Sequence, residues 1–276
     1  MDTTRSPYCR ATVNYTGEGG LVPTEVDILD GRMAKDSLDR QQCGFELVSH
    51  VSRVEDWHDR AAVELVCYDE IASLARSLTG CDAVIFDGAV LRSREEGQRH
   101  PDMGPVKSVH SDYTEGYREM IQNPHHPYSG IMAPSMARAG VSTEDIARAE
   151  RVLVLQFWRN VGPVDMDHPI AFCDARSVRR SSLRDIHLSK FGDVQVAYDV
   201  FVLEPPPEPE QYRWYTFPRM TVDEVVVWRG YDDSCVERDE PFWTPHTAFL
   251  DPNTGPDAPG RVSLEMRATC LFHGHA

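Results

Sequence analysis

Positive charge is scarce in this chain. Lys and Arg number 28 against 44 Asp and Glu, a formal net charge of −16. A surface so acidic lacks the basic patches that nucleic acid or an anionic membrane requires. Long apolar runs are missing too: none approaches the ~20 residues that cross a bilayer, and the opening "MDTTRSPYCR" has no apolar core of a secretory leader. The seven cysteines, Cys9, Cys43, Cys67, Cys81, Cys173, Cys235 and Cys270, are odd in number and scattered, with no C-x-x-C. That excludes a disulfide framework and a zinc knuckle. No P-loop, G-x-G-x-x-G, G-x-S-x-G or internal repeat occurs. The expectation is a soluble, cytoplasmic protein with a small-molecule partner, no nucleic acid and no membrane. Oligomeric state is not legible.

What is present reads as mainly β. "ATVNYT" is a first short strand, "FELVSHVSRV" another, and "WHDRAAVELVCYDEIASLARSLTG" an amphipathic helix stopped by Gly80, with Ala61, Leu65, Ile71, Leu74 and Leu78 on its apolar side. "DAVIFDG" and "VKSVHSDY" follow as strands, separated by a polar loop. Thr114 is a candidate cap for the helix "EGYREMIQN", "NPHHPYSG" reads as a loop, and "VSTEDIARAE" carries a capping signature. The C-terminal half is rich in strands: "RVLVLQFWRN", "PIAFCD", "VQVAYDVFVL", "RWYTFPRM", "EVVVWRG", "PHTAFLD" and "RVSLEMRATCLF". "PPPEPE" at 205–210 is an exposed connection. Many short strands with helices packed outside predict a barrel or a jelly roll in a single domain, 1–276. Residues 1–50 form an N-terminal arm, 55–80 a supporting helix, and 104–272 the barrel.

His110 and Asp112 stand two apart in a strand-like run, so both point to one face. A His-x-Asp pair alone is common. It gains meaning from His246 in "TPHTAFLD", a short β-like run late in the chain. Two histidines and one carboxylate can hold Fe(II) on one face and leave three positions open. The plainer alternative for His246 is a core or loop histidine. Arg261, Ser263, Glu265 and Arg267 share strand parity. Two arginines pointing into a barrel need anions, and a guanidinium fork suits a carboxylate. The alternative is a solvated edge strand.

Other candidates carry less. His125 and His126 sit in a Pro-rich loop, and His273 and His275 at the C-terminus. Cys173 beside Asp174 has no histidine near in sequence, and "PVDMDHP" fits a turn. Trp158, Trp214 and Tyr215 are candidate walls of a substrate pocket, although core packing is the commoner fate of aromatics.

From about residue 55 onward the chain resembles the Fe(II)/2-oxoglutarate-dependent oxygenases of the cephem-hydroxylase and gibberellin-desaturase-like group. The ordered stretches that carry the resemblance are "TGCDAVIFDGAVLRS", "GPVKSVHSDYT", "LVLQFWRNVGPVDMDHPIAFCDARSV", "YRWYTFPRMTVDEVVVWRGYDD", "TPHTAFLDP" and "RVSLEMRATCLF". Gln156 and Asn160 depart from the group's asparagine and proline, which is expected to bear on substrate or cosubstrate contacts and not on the iron site. The resemblance implies a double-stranded β-helix core with His110, Asp112 and His246 holding iron. It implies that Arg261 grips the far carboxylate of 2-oxoglutarate, with Arg267 a second anion contact, to cosubstrate or substrate, and Gln156 a further cosubstrate-binding residue. The implied cofactors are Fe(II), 2-oxoglutarate and O2. The implied activity is hydroxylation, desaturation or oxidative cyclisation of a small metabolite, with succinate and CO2 released. Halogenases of the wider superfamily lack the carboxylate, so Asp112 argues against halogenation. A jelly-roll dioxygenase that uses no 2-oxoglutarate, and a non-catalytic barrel that binds a small acid, are the alternatives.

Overall fold

The computed structural model describes residues 6–208 and 210–274. His275, and Pro209 of the proline-rich connection, lie outside them.

Two sheets face each other. The strands of the first are β1 (Cys9–Gly17), β2 (Gly20–Asp30), β5 (His110–Ser111), β7 (Ile170–Cys173), β8 (Leu183–Phe191), β9 (Val194–Leu203), β10 (Trp214–Thr216) and β12 (His246–Ala248). Their spatial order is β1-β2-β10-β7-β12-β5-β9-β8. The second sheet contains β3 (Phe45–Ser49), β4 (Ala83–Ser93), β6 (Arg151–Asn160), β11 (Glu224–Asp232) and β13 (Val262–Phe272), in the order β3-β11-β6-β13-β4. Sequence neighbours are rarely sheet neighbours, the signature of a rolled double sheet, and the jelly-roll expectation is met. The N-terminal strands are built into both sheets, β2 beside β10 and β3 beside β11.

The apolar run of β6 is explained by its place. It is central, and both its faces are covered. Val152 and Val154 face the roll interior; Leu153, Leu155 and Phe157 face outward, under helix α1 (Arg60–Thr79). That helix is where the sequence places it, capped by the Asp59 carboxylate and ended at Gly80. Its buried stripe is Val63, Cys67, Ile71 and Ala75, a strict i, i+4 row, whereas Leu65 is exposed.

Five further departures are local. The loop read at "NPHHPYSG" opens a helix, α4 (Pro127–Ala139), because Pro127 takes the first helical position and the His126 ring accepts from the Tyr128 amide. The short helix α2 (Arg94–Arg99) occupies part of the polar loop before β5, and α3 (Tyr117–Gln122) starts without a side-chain cap from Thr114. β8, which mixes apolar with polar and charged side chains, pairs with β9 as an edge hairpin with one face in solvent. The "VKSVHSDY" strand shrinks to its central pair, His110 and Ser111. The capping box of α5 (Thr143–Arg148) forms as read, between Ser142 and Asp145. A sixth helix, α6 (Asp233–Glu237), follows β11.

All seven cysteines are free and buried. No helix among the described residues is long and apolar enough to cross a membrane.

Candidate metal centre

β5 and β12 are adjacent antiparallel strands, and their register sets His110 directly opposite His246. The ring centroids are 4.4 Å apart. Ser111 points the other way, its hydroxyl accepting from the Thr244 amide at 3.2 Å. Asp112 therefore returns to the histidine face, and a ligand atom from each of the three side chains lies within 4.8 Å of the others.

The tautomers are fixed by the backbone. His110 Nδ1 lies 2.9 Å from the Ser108 carbonyl, and His246 Nδ1 lies 3.0 Å from the Thr244 carbonyl. A carbonyl can only accept, so each Nδ1 carries the proton and each Nε2 offers a lone pair. Burial, then the neighbouring His110, pushes the His246 imidazole down to about 4, so it stays neutral. Burial alone would raise the Asp112 carboxyl. Arg267, both histidines and a Gln156 hydrogen bond oppose it and hold the group well below the usual carboxylate range. Two imidazole Nε2 atoms and one carboxylate on a single face are a donor set for a divalent cation with open positions, and the residues fit Fe(II).

Each Asp112 oxygen is held from behind. Gln156 Nε2 donates to Oδ2 at 2.7 Å, and Arg267 Nη2 lies 3.3 Å from Oδ1. Arg267 also pairs with Glu265 at 2.7 Å, and Glu265 with Arg92 at 3.5 Å. Gln156 has room to reach inward because Gly230, in the bulge of β11 between Arg229 and Tyr231, has no side chain. A Cβ there would sit 2.5 Å from Gln156 Oε1 and 2.9 Å from the Tyr113 ring.

Arg261 behaves differently from Arg267. It lines a narrow cleft together with His110, His246, Trp158 and Arg92. Its guanidinium is buried, lies 5.8 Å from the centre of the Trp158 ring, and donates at 3.3 Å to the His168 carbonyl. Its Nε has no partner. Burial, with Arg92 nearby, pushes it down to about 9 against the pull of Glu265 and Asp167. The "PVDMDHP" turn serves this residue: Asp167 accepts the Arg261 amide at 3.0 Å and pairs with His168 at 2.8 Å.

The three candidate pocket aromatics are not brought together. Trp158 lines the Arg261 cleft. Trp214 lies in the interior and donates to the Tyr15 hydroxyl at 2.9 Å; Tyr215 packs on Phe45 with ring centroids 5.9 Å apart. Cys173 is buried without a histidine partner. Residues without a sequence signal also matter here. Arg92 and Asp87 reach the site through the pairing of β4 with β13, and Thr244 from the segment just before β12.

Asp87 sits where β4 and β13 fall out of register. Met266 pairs with Ala89, and Ala268 with Phe86, so Asp87 and Gly88 bulge opposite Arg267. Gly88 has φ +117°, a conformation that side chains rarely adopt. Burial pushes the Asp87 carboxyl up to about 6, against Arg267 and the Tyr128 hydroxyl. A carboxyl whose folded pKa exceeds its unfolded value of 3.8 binds protons better when folded. It therefore lowers stability progressively as pH rises from about 4 to about 6, and the loss is constant above that. In the metal-free protein, Asp87→Asn should raise stability by about 1–2 kcal/mol at pH 8, after discounting for partial exposure, and by nearly nothing at pH 4. Denaturant melts at the two pH values check this; an equal effect at both would contradict it.

Fold and side chains together define a double-stranded β-helix protein with a two-histidine, one-carboxylate candidate metal site. The chain belongs to the family described as the oxidoreductase/YMDC permease-like domain, whose model matches residues 3–271. It is 26% identical over 281 residues to the Fe(II)/2-oxoglutarate-dependent dioxygenase nvfI of Aspergillus novofumigatus, covering 99% of this chain and 89% of that protein. It is 28% identical over 246 residues to the hydroxylase/desaturase CTB9 of Cercospora beticola, covering 81% and 69%. A solved structure of the iron and alpha-ketoglutarate-dependent endoperoxidase NvfI matches with a TM-score of 0.78 at 22% identity, over 97% of this chain and 98% of that one. That likeness shows the same fold.

Proposed function

We propose that the protein is an Fe(II)- and 2-oxoglutarate-dependent oxygenase acting on a small-molecule metabolite. The observation that carries the reading is the pairing of two features in one place. Three ligand side chains converge on one point, and a buried arginine that forms no ion pair among the described residues, its Nε unpartnered, lines the cleft beside them. A divalent cation answers the first and a dicarboxylate cosubstrate the second. Relatives named as Fe(II)/2-oxoglutarate-dependent and alpha-ketoglutarate-dependent dioxygenases support the same reading.

His110, Asp112 and His246 hold the metal. When bound, Fe(II) with 2-oxoglutarate and O2 supplies the oxidising power for an unactivated C–H bond, with succinate and CO2 as co-products. The chain supplies placement. Gln156 and Arg267 fix the plane of the Asp112 carboxylate and keep it ionised. Thr244 and Ser108 aim the imidazoles. Arg261 pairs with the far carboxylate of the cosubstrate, and the Trp158 ring screens that ion pair from water. The cleft is small, about 20 Å³, so seating the dicarboxylate turns side chains at its rim aside. Asp112 occupies the position a chloride would need, which favours oxygenation over halogenation.

Anaerobic addition of Fe(II) and 2-oxoglutarate should produce a weak visible charge-transfer band, and air should then yield succinate. A colourless protein with no iron affinity would support the small-acid-binding barrel instead.

A further inference from the structure

The outward face of the second sheet carries a groove unlike the rest of this acidic chain. Its volume is about 580 Å³, within the range of small-ligand pockets. β6 and β11 form the floor. Arg229 stands opposite Leu155 and Asp232 opposite Leu153, and paired residues share a face, so both charged groups point outward with the two leucines. Leu78 at the end of α1, Gln41, and Pro241 just beyond α6 form the walls. None of the three candidate metal ligands lines this space.

Five arginines line the groove against two acids, in a chain whose acids outnumber its bases 44 to 28. Four of the five have a carboxylate. Arg40 pairs with Glu46 at 3.0 Å, Arg151 with Asp232 at 2.6 Å, Arg176 with Asp174 at 2.8 Å and Arg238 with Glu240 at 2.9 Å. Asp174 is shared, since Arg213 also pairs with it at 2.9 Å. Arg229 is the fifth, and among the described residues it forms no ion pair. It is only 6% exposed. Nη1 donates to the Gln41 carbonyl at 3.2 Å and Nη2 to the Pro241 carbonyl at 2.6 Å, which uses one hydrogen of each; Nε has no partner. A guanidinium buried without an anion costs free energy until one arrives.

Two positive charges are therefore unmatched: that of Arg229, and the one in excess where Arg176 and Arg213 share a single carboxylate. A dianion answers both. A guanidinium fork with hydrogens to spare suits phosphate oxygens, and the volume leaves room for more than the head group. We propose that this groove is a second ligand site, which binds a phosphate monoester with its phosphate on Arg229 and its organic body between Leu78 and Pro241. The proposal does not depend on the oxygenase reading.

Three probes with one aromatic body test this. Phenyl phosphate is a tetrahedral dianion, phenyl sulfate has the same shape with one charge, and phthalate carries two charges on planar carboxylates. Each is titrated calorimetrically into the full chain at pH 8, metal-free and again anaerobically with Fe(II) and 2-oxoglutarate. Phenyl phosphate should bind in both states, and the other two about tenfold more weakly, the scale of one hydrogen bond between charged groups. Arg229→Met should weaken phenyl phosphate by at least about tenfold. Because Arg229 also ties down two carbonyls, a second variant is needed that spares the fold. Arg238→Glu changes a side chain that is 55% exposed, and should weaken phenyl phosphate by about tenfold at an unchanged melting temperature. Arg219→Gln, in an exposed ion pair outside the groove, and Arg261→Met, in the cleft beside the metal centre, should both leave it unchanged. The proposal is overturned if phenyl phosphate does not bind, or if phenyl sulfate or phthalate binds as tightly. It is equally overturned if Arg238→Glu, or a folded Arg229→Met, binds phenyl phosphate as the wild type does, or if Arg219→Gln or Arg261→Met weakens it as much. The oxygenase reading stands or falls separately on the charge-transfer band.

Discussion

Replacing His246 with alanine should lower Fe(II) affinity by at least about 100-fold and abolish iron-dependent formation of succinate. Loss of a residue that merely orients a ligand costs about 10–100-fold, and loss of a ligand exceeds that. The two remaining side chains cannot compensate. His110 is tied to the Ser108 carbonyl, and Asp112 is clamped by Gln156 and Arg267, so neither can swing into the vacated position. The substitution also opens space beside Trp228 and Phe172, whose rings lie 5.0 and 6.0 Å from that of His246. His246→Gln, which fills more of that space, separates the two effects: it should restore thermal stability without restoring turnover. Anaerobic Fe(II) titration followed by succinate assay reads the metal, and thermal melts of metal-free protein read the packing. If either variant retained wild-type iron affinity, His246 would be a core histidine and the triad wrong.

The triad was legible because its spacing is a physical pattern. His-x-Asp on extended chain forces both groups to one face whatever the strand's length, so the pair survives the contraction of β5 to two residues. The late histidine was legible as a residue, but its partner was not. That His246 lies opposite His110 is a fact of register between strands more than a hundred residues apart, which local periodicity does not encode. The same limit hid the roles behind the site. Shared parity correctly turned Arg261, Glu265 and Arg267 inward, yet it could not tell an arginine matched by carboxylates from one left unmatched. It also could not show that a bulge sets Asp87 across from Arg267. Helices fared by their edges. α1 was visible through its length and its stop, while α4 was hidden behind "HHP", whose proline starts a helix as readily as it ends one.

The contrast between the two arginines yields the sharpest expected difference. Arg261→Met should weaken 2-oxoglutarate binding by about 100-fold, since truncating one partner of a buried charge pair costs about 2–5 kcal/mol. The same substitution should leave the melting temperature of the metal-free protein unchanged or raise it. A buried guanidinium with an unpartnered Nε and a second arginine nearby is a cost to the folded state, and a well-packed apolar side chain of similar length removes it. Arg267→Met should do the opposite. It leaves Glu265 and Asp112 buried beside one another without their shared cation, and breaking such a pair costs about 3–5 kcal/mol. Its melting temperature should fall sharply before any ligand is added. Measuring both variants, with and without Fe(II) and 2-oxoglutarate, separates the roles: Arg261 matters to the ligand, Arg267 to the protein. If Arg261→Met destabilised the metal-free fold as much as Arg267→Met and left 2-oxoglutarate binding intact, Arg261 would be a structural cation and the cosubstrate's far carboxylate would have to lie elsewhere.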